Sequence, residues 1–108
     1  MQFVIAVKHF KPEYLNTVYN FINAVLNQKK HIKIDMLFFY KDGVYAINNP
    51  EFKEKLIKIM ATGTNLSKLS VCKASCKRRG INIIEPFKTS SIIEFIDASE
   101  NTDRIINL

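Results

Sequence analysis

The run QFVIAVK at Gln2–Lys8 is almost continuously apolar, and a long segment of helical periodicity follows within a few residues. A strand of that kind has no polar face to turn to water, so it belongs inside a parallel sheet covered on both faces. Parallel neighbours need a crossover between them, which makes the alternation of apolar runs with helical segments the main constraint on the fold. His9–Lys11 forms the first loop and Pro12 suits a first helical turn. Tyr14, Leu15, Val18, Phe21, Ile22, Val25 and Leu26 then recur at helical spacing up to Lys29 and Lys30. That spacing assigns Tyr14, Tyr19 and Phe21 to a core stripe rather than to a base-stacking surface.

His31–Tyr40 (HIKIDMLFFY) opens with alternation and ends in an apolar run, as does a strand entering a sheet from an exposed edge. Lys41, Asp42 and Gly43 turn the chain. Asn49 caps and Pro50 opens a second helix, with Phe52, Leu56, Ile59 and Met60 on one face and Gly63 closing it. Leu66–Val71 is a third strand, delivering the chain to Cys72 and a short basic helix that ends at Gly80. Ile81, Ile83 and Ile84 lead to Pro86 as a short strand or an ordered loop. Ser91 and Glu94 form a capping-box pattern before a last helix carrying Ile92, Ile93, Phe95 and Ile96, and Arg104–Leu108 is a final strand. The expected fold is a single α/β domain over residues 1–108, a three-layer sandwich whose mainly parallel sheet has about four to five strands.

In such sheets reacting groups collect beyond the carboxyl ends of the strands, where His9–Lys11, Tyr40–Tyr45 and the segment from Cys72 come together. Cys72 stands where a strand ends and a helix begins, so unpaired backbone N–H groups and the positive helix end lie near its sulfur. Lys73, Lys77, Arg78 and Arg79 add positive charge, and such surroundings favour the thiolate, the form that attacks sulfur. Lys77, Arg78, Arg79 and Gly80 also read as an ordinary helix C-terminus, and a cysteine at the end of a buried strand also reads as core.

Other chemistries are less well supported. Cys72 and Cys76 have no second pair, and only His9 and His31 are left to complete a metal site. The three glycines are scattered, which argues against a phosphate-binding loop. A Cys/His nucleophile pairs His9 with Cys72 only if the first and third strands are neighbours. Cys76, one turn after Cys72, either shares its face and resolves a persulfide or disulfide, or is packing.

The formal net charge of +6 suits an acidic partner or a nucleic acid, but the lysines are spread along the whole chain. The apolar run at Phe3–Val7 is too short for a signal peptide and lacks a basic region before it, and no run reaches the ~18 residues of a membrane span. A cytoplasmic protein with reduced thiols is expected.

Several segments together resemble the TusD branch of the DsrE-like family. They are Phe38–Tyr45 (FFYKDGVY) with Asn48 shortly after, Leu69–Cys72 running into Arg78, Arg79 and Gly80, and the ending Asp103–Ile106. The resemblance implies a sulfurtransferase in which Cys72 carries sulfane sulfur as a persulfide, accepted from TusA and passed towards TusE for 2-thiolation of tRNA wobble uridine. It implies a heterohexamer with TusB and TusC, two copies of each subunit, and no metal or organic cofactor. Lys73 is then an electrostatic helper, and Tyr40, Asp42, Gly43 and Tyr45 lie near the site or at a subunit contact. His9-Phe10-Lys11-Pro12 replaces the family's glycine- and alanine-containing loop, the Ile81–Ser90 region is short, and Cys76 stands where a small apolar residue is usual. The rival expectation is a non-catalytic basic structural or RNA-binding subunit in which Cys72 is buried. Unclustered charge and the lack of exposed-aromatic spacing weigh against it and against direct tRNA binding.

Overall fold

The computed structural model describes residues 1–28, 31–62 and 65–108. Strand β1 (Gln2–Val7) leads into helix α1 (Pro12–Gln28), then strand β2 (Lys33–Phe39), a 3-10 helix (Lys41–Asn48), helix α2 (Pro50–Ala61), strand β3 (Leu69–Cys72) and helix α3 (Lys73–Arg79). Strand β4 (Lys88–Ser90), helix α4 (Ile92–Glu100) and strand β5 (Arg104–Asn107) complete the chain. The expected strand–helix alternation is present throughout. The roles assigned to Lys29, Lys30 and Gly63 fall outside the described residues.

All five strands form one parallel sheet in the order β4-β3-β2-β1-β5. Each step from β1 to β4 moves the same way across the sheet, whereas the last connection crosses back over it to reach β5. With right-handed crossovers, that reversal sends the last helix to the opposite face. The packing agrees. Phe3, Ile5, Val7, Leu37, Phe39 and Val71 form a large core with α1, α2 and the 3-10 helix, while Val4, Met36, Phe38 and Cys72 pack against Phe95 and Ala98 of α4. The interior position of β1, paired with β2 on one edge and β5 on the other, explains its continuous apolarity, since Val4, Ile5, Ala6 and Val7 are all buried.

Local chemistry sets most boundaries. Asn49 accepts a hydrogen bond from the Phe52 N–H through its side chain, ahead of Pro50 in the first turn of α2. Ser91 and Glu94 make the full reciprocal capping box of α4. Gly80 adopts φ 65°, and the N–H groups of Gly80 and Ile81 return to the carbonyls of Lys77 and Cys76, a Schellman closure of α3. Asp103 secures the start of β5 by accepting from the Gln2 N–H through its carboxylate at 2.7 Å, while its own N–H donates to the Gln2 carbonyl.

Three expectations are corrected. The third strand begins at Leu69, with Leu66 making only an isolated bridge to Ile34. The Lys41–Gly43 turn opens a 3-10 helix, because Gly43 lies so close to β1 that a Cβ there would overlap the Val7 carbonyl oxygen. Of the two forms expected for the segment leading to Pro86, residues 81–87 take the ordered loop, with Phe87 buried in the main core. Tyr14 is 43% exposed and stacks on the loop residue His9, while its neighbour Leu15 takes the buried place in the first turn of α1.

Candidate functional site

The residues singled out in the sequence converge on the carboxyl edge of the sheet. β3 ends at Cys72, which has extended backbone and serves as the N-cap of α3 without hydrogen-bonding the first turn through its side chain. Its strand neighbour on one side is Ser90, paired with it in the β3–β4 register and also buried. On the other side Tyr40 follows β2, in the same small apolar cluster as Cys72. The Tyr40 ring stacks on Phe38 at 5.9 Å, Phe38 stacks on Phe95 of α4 at 4.7 Å, and the Lys41 ammonium lies 5.9 Å from the centre of the Tyr40 ring. Cys72 is 5% exposed beneath this group. Tyr40 and, on α4, Phe95 and Ala98 are the partly buried side chains packed against this cluster.

Helix α3 is tied to the neighbouring loop by two contacts that local sequence patterns do not reveal. Ser75 Oγ accepts a hydrogen bond from the Lys41 N–H at 2.9 Å, and Arg79 Nε donates to Asp42 Oδ1 at 2.9 Å. The Arg79 guanidinium also reaches the Ser75 carbonyl at 3.2 Å. Lys41 adopts φ 50°, a left-handed conformation unusual for a residue with a Cβ. The Ser75 hydroxyl satisfies the backbone N–H that this bend turns toward α3. Together these contacts fix the register of α3, and with it the position of Cys72, against the end of β2.

Cys76 packs into the main core on the other side of the sheet from the Cys72 cluster. Burial first, and the nearby Cys72 second, push its thiol above the ordinary value of 9.0, with Arg79 opposing. The common face that a resolving role for Cys76 requires is not seen, since the two cysteines pack in separate clusters. Lys73 is exposed and makes no ion pair among the described residues.

β2 separates β1 from β3, so the strand adjacency needed for a His9–Cys72 pair is absent. His9 instead stacks on Tyr14 at 4.4 Å, while Phe10 packs on Tyr45 at 5.1 Å. A second feature of the same edge is thus a cavity of about 300 Å³ lined by His9, Phe10, Lys11, Tyr14 and Asp42. Among the described residues, no cluster of His, Cys, Asp and Glu is arranged to hold a metal ion. No helix among them is long and apolar enough to cross a membrane.

Comparison with known proteins agrees with this architecture. The sequence matches the DsrE/DsrF-like family over residues 1–108. It is 30% identical to a protein of Haemophilus influenzae named sulfurtransferase TusD homolog, in an alignment of 129 residues that covers both chains in full. Among solved structures, the YchN protein of E. coli superposes with a TM-score of 0.82 at 19% identity, covering both chains completely. MTH1491 of Methanobacterium thermoautotrophicum, a protein of unknown function, gives 0.79 at 11% identity over 99% of this chain and 98% of its own. These two likenesses bear on the fold. With its five-stranded parallel sheet and a full-length match, the chain belongs to the DsrE/DsrF-like family.

Proposed function

We propose that this chain is a sulfurtransferase that carries sulfane sulfur as a persulfide on Cys72. The family and the full-length similarity to a TusD homolog support sulfur transfer. The observation that carries the assignment to one residue is the place of Cys72, at the carboxyl end of a sheet strand and at the N-terminus of α3.

The chemistry is an exchange at divalent sulfur. The Cys72 thiolate attacks the outer sulfur of a donor persulfide, a new S–S bond forms on Cys72, the donor's S–S bond breaks, and the donor leaves as a thiolate. No net oxidation occurs. Transfer onward is the same step with an acceptor thiolate attacking the outer sulfur held on Cys72. The first-turn N–H groups of α3 are not taken up by the Cys72 side chain, which leaves their partial positive charge for the anionic forms of the sulfur. Lys73 adds a mobile cation at the same point.

The donor in this reading is TusA and the acceptor TusE, with TusB and TusC as partner subunits in a cytoplasmic heterohexamer and 2-thiolation of tRNA wobble uridine as the destination. Intact-mass analysis after incubation with a persulfide donor tests the central claim. A reducible gain of one sulfur atom in the native chain and in Cys76→Ser, absent from Cys72→Ser, is the expected result. Gain in all three, or in none, rejects Cys72 as carrier.

The burial of Cys72 favours a second reading, a non-catalytic subunit in which the thiol is packing. Alkylation kinetics separate the two. A carrier reacts under native conditions, whereas a packing cysteine reacts only on unfolding.

A further inference from the structure

The loop after β1, the first turn of α1 and the 3-10 helix gather aromatic side chains, among them Tyr14, which the helical spacing assigned to the core. Phe10, Tyr14 and Tyr45 are 42%, 43% and 37% exposed, although aromatic rings of this size are usually mostly buried. They are arranged in two tilted ring pairs, His9 with Tyr14 and Phe10 with Tyr45. His9, Phe10 and Tyr14 line the cavity of about 300 Å³, a size that accepts a single nucleoside. Lys11 and Asp42 line it as well, and the exposed Lys8 and Lys41 adjoin these lining residues in sequence.

We infer that this edge is a binding site for single-stranded RNA, with one base held between the ring pairs. Stacking on exposed aromatic faces, next to cations that follow a phosphate backbone, is the general mode of single-strand binding. Asp42 adds base-edge recognition. Its Oδ1 is engaged by Arg79, and Oδ2 accepts from the N–H donors of guanine or cytosine. Lys8, Lys11 and Lys41 then meet the flanking phosphates.

A peptide fits the same place less well. Strand addition requires an unpaired sheet edge, and those edges are β4 and β5, whereas β1 and β2 end here as interior strands. An acidic peptide would find the three lysines but would meet the Asp42 carboxylate inside the cavity. The proposal does not rest on sulfur transfer, since Cys72 itself takes no part in it, although Asp42 and Lys41 also tie this edge to α3 through Arg79 and Ser75.

Fluorescence anisotropy of the full chain with a labelled mixed-sequence oligoribonucleotide of about eight nucleotides tests this assignment. Binding is expected to weaken with salt at a logarithmic slope near −2, from about 0.7 per phosphate contact. Tyr14→Ala and Phe10→Ala should each weaken it about tenfold, with Tyr14→Phe close to the native chain. Lys11→Gln, an exposed change that leaves packing intact, should lower the slope by about 0.7. Cys72→Ser should bind as the native chain does. The site is overturned if the native chain does not bind, if Tyr14→Ala and Lys11→Gln both bind like the native chain, or if a polyglutamate peptide displaces the probe as well as unlabelled RNA does.

Discussion

Cys72 and Cys76 are one helical turn apart in sequence, yet they pack into apolar clusters on opposite sides of the sheet. Only Cys72 belongs to the layer beneath α4, so the two thiols face different surroundings.

The raised Cys76 thiol gives a pH signature. A thiol whose folded-state value is above its unfolded value contributes full stability below the unfolded value and loses it as pH rises through the folded one. Native stability, read as urea midpoints, should therefore hold steady up to about pH 9 and fall above it, because the unfolded chain ionises near 9.0 while the folded chain still holds its proton. Cys76→Ala should remove this component of the alkaline fall. An unchanged alkaline slope in that variant contradicts the assignment.

Phe95 covers the Cys72 cluster through its stack on Phe38, but it is only half-buried, and α4 has no fully buried residue. Phe95→Ala should cost about 2 kcal/mol, below the 3–5 kcal/mol typical of a fully buried phenylalanine. If α4 is the barrier to entry, the variant should speed alkylation of Cys72 about tenfold under native conditions. Equal rates in the two proteins would place the entry route on the Tyr40 side.

The Lys41 bend and the Ser75 hydroxyl should respond in opposite directions. Ser75→Ala leaves the Lys41 N–H without its partner and should destabilise by about 1–2 kcal/mol. Lys41→Gly relieves a left-handed conformation that costs a residue with a Cβ about 1–2 kcal/mol, offset in part by the freer unfolded chain, for a net gain of about 0.5 kcal/mol. Thermal melts of the single and double variants measure both effects.

Gly43→Ala brings a methyl group onto the Val7 carbonyl, where the obstacle is backbone of an interior strand and cannot rotate away. A loss of about 3 kcal/mol is expected, together with slower persulfide loading as the end of β2 shifts. A variant with native stability would show that the 3-10 helix can move away from β1.

Features governed by neighbours in sequence were readable in advance. The continuous apolarity of β1, the Ser91–Glu94 capping box and the Gly80 stop depend on residues a few positions apart, and each is found where the pattern puts it. The contacts that organise the candidate site are different in kind. Ser75 meets Lys41 across 34 positions and Arg79 meets Asp42 across 37, so no local period encodes them. Tyr14 has the spacing of a core residue, but Leu15 beside it takes the buried place in that turn of α1 and Tyr14 stacks on His9. The burial of Cys72 follows from α4 crossing back over the sheet, a choice of face made by topology and not by the residues around the cysteine.

The pairing of β5 with β1 joins segments about one hundred residues apart in the chain. During synthesis, β1 can acquire β2 early, but its other edge stays open until residues 104–107 have left the ribosome. An apolar strand with an unpaired edge is a template for association with other chains, and contacts this distant form slowly. An interior strand of the finished sheet is thus the one most in need of protection while the protein is being made, and a chain truncated before Asp103 should be held by chaperones or aggregate.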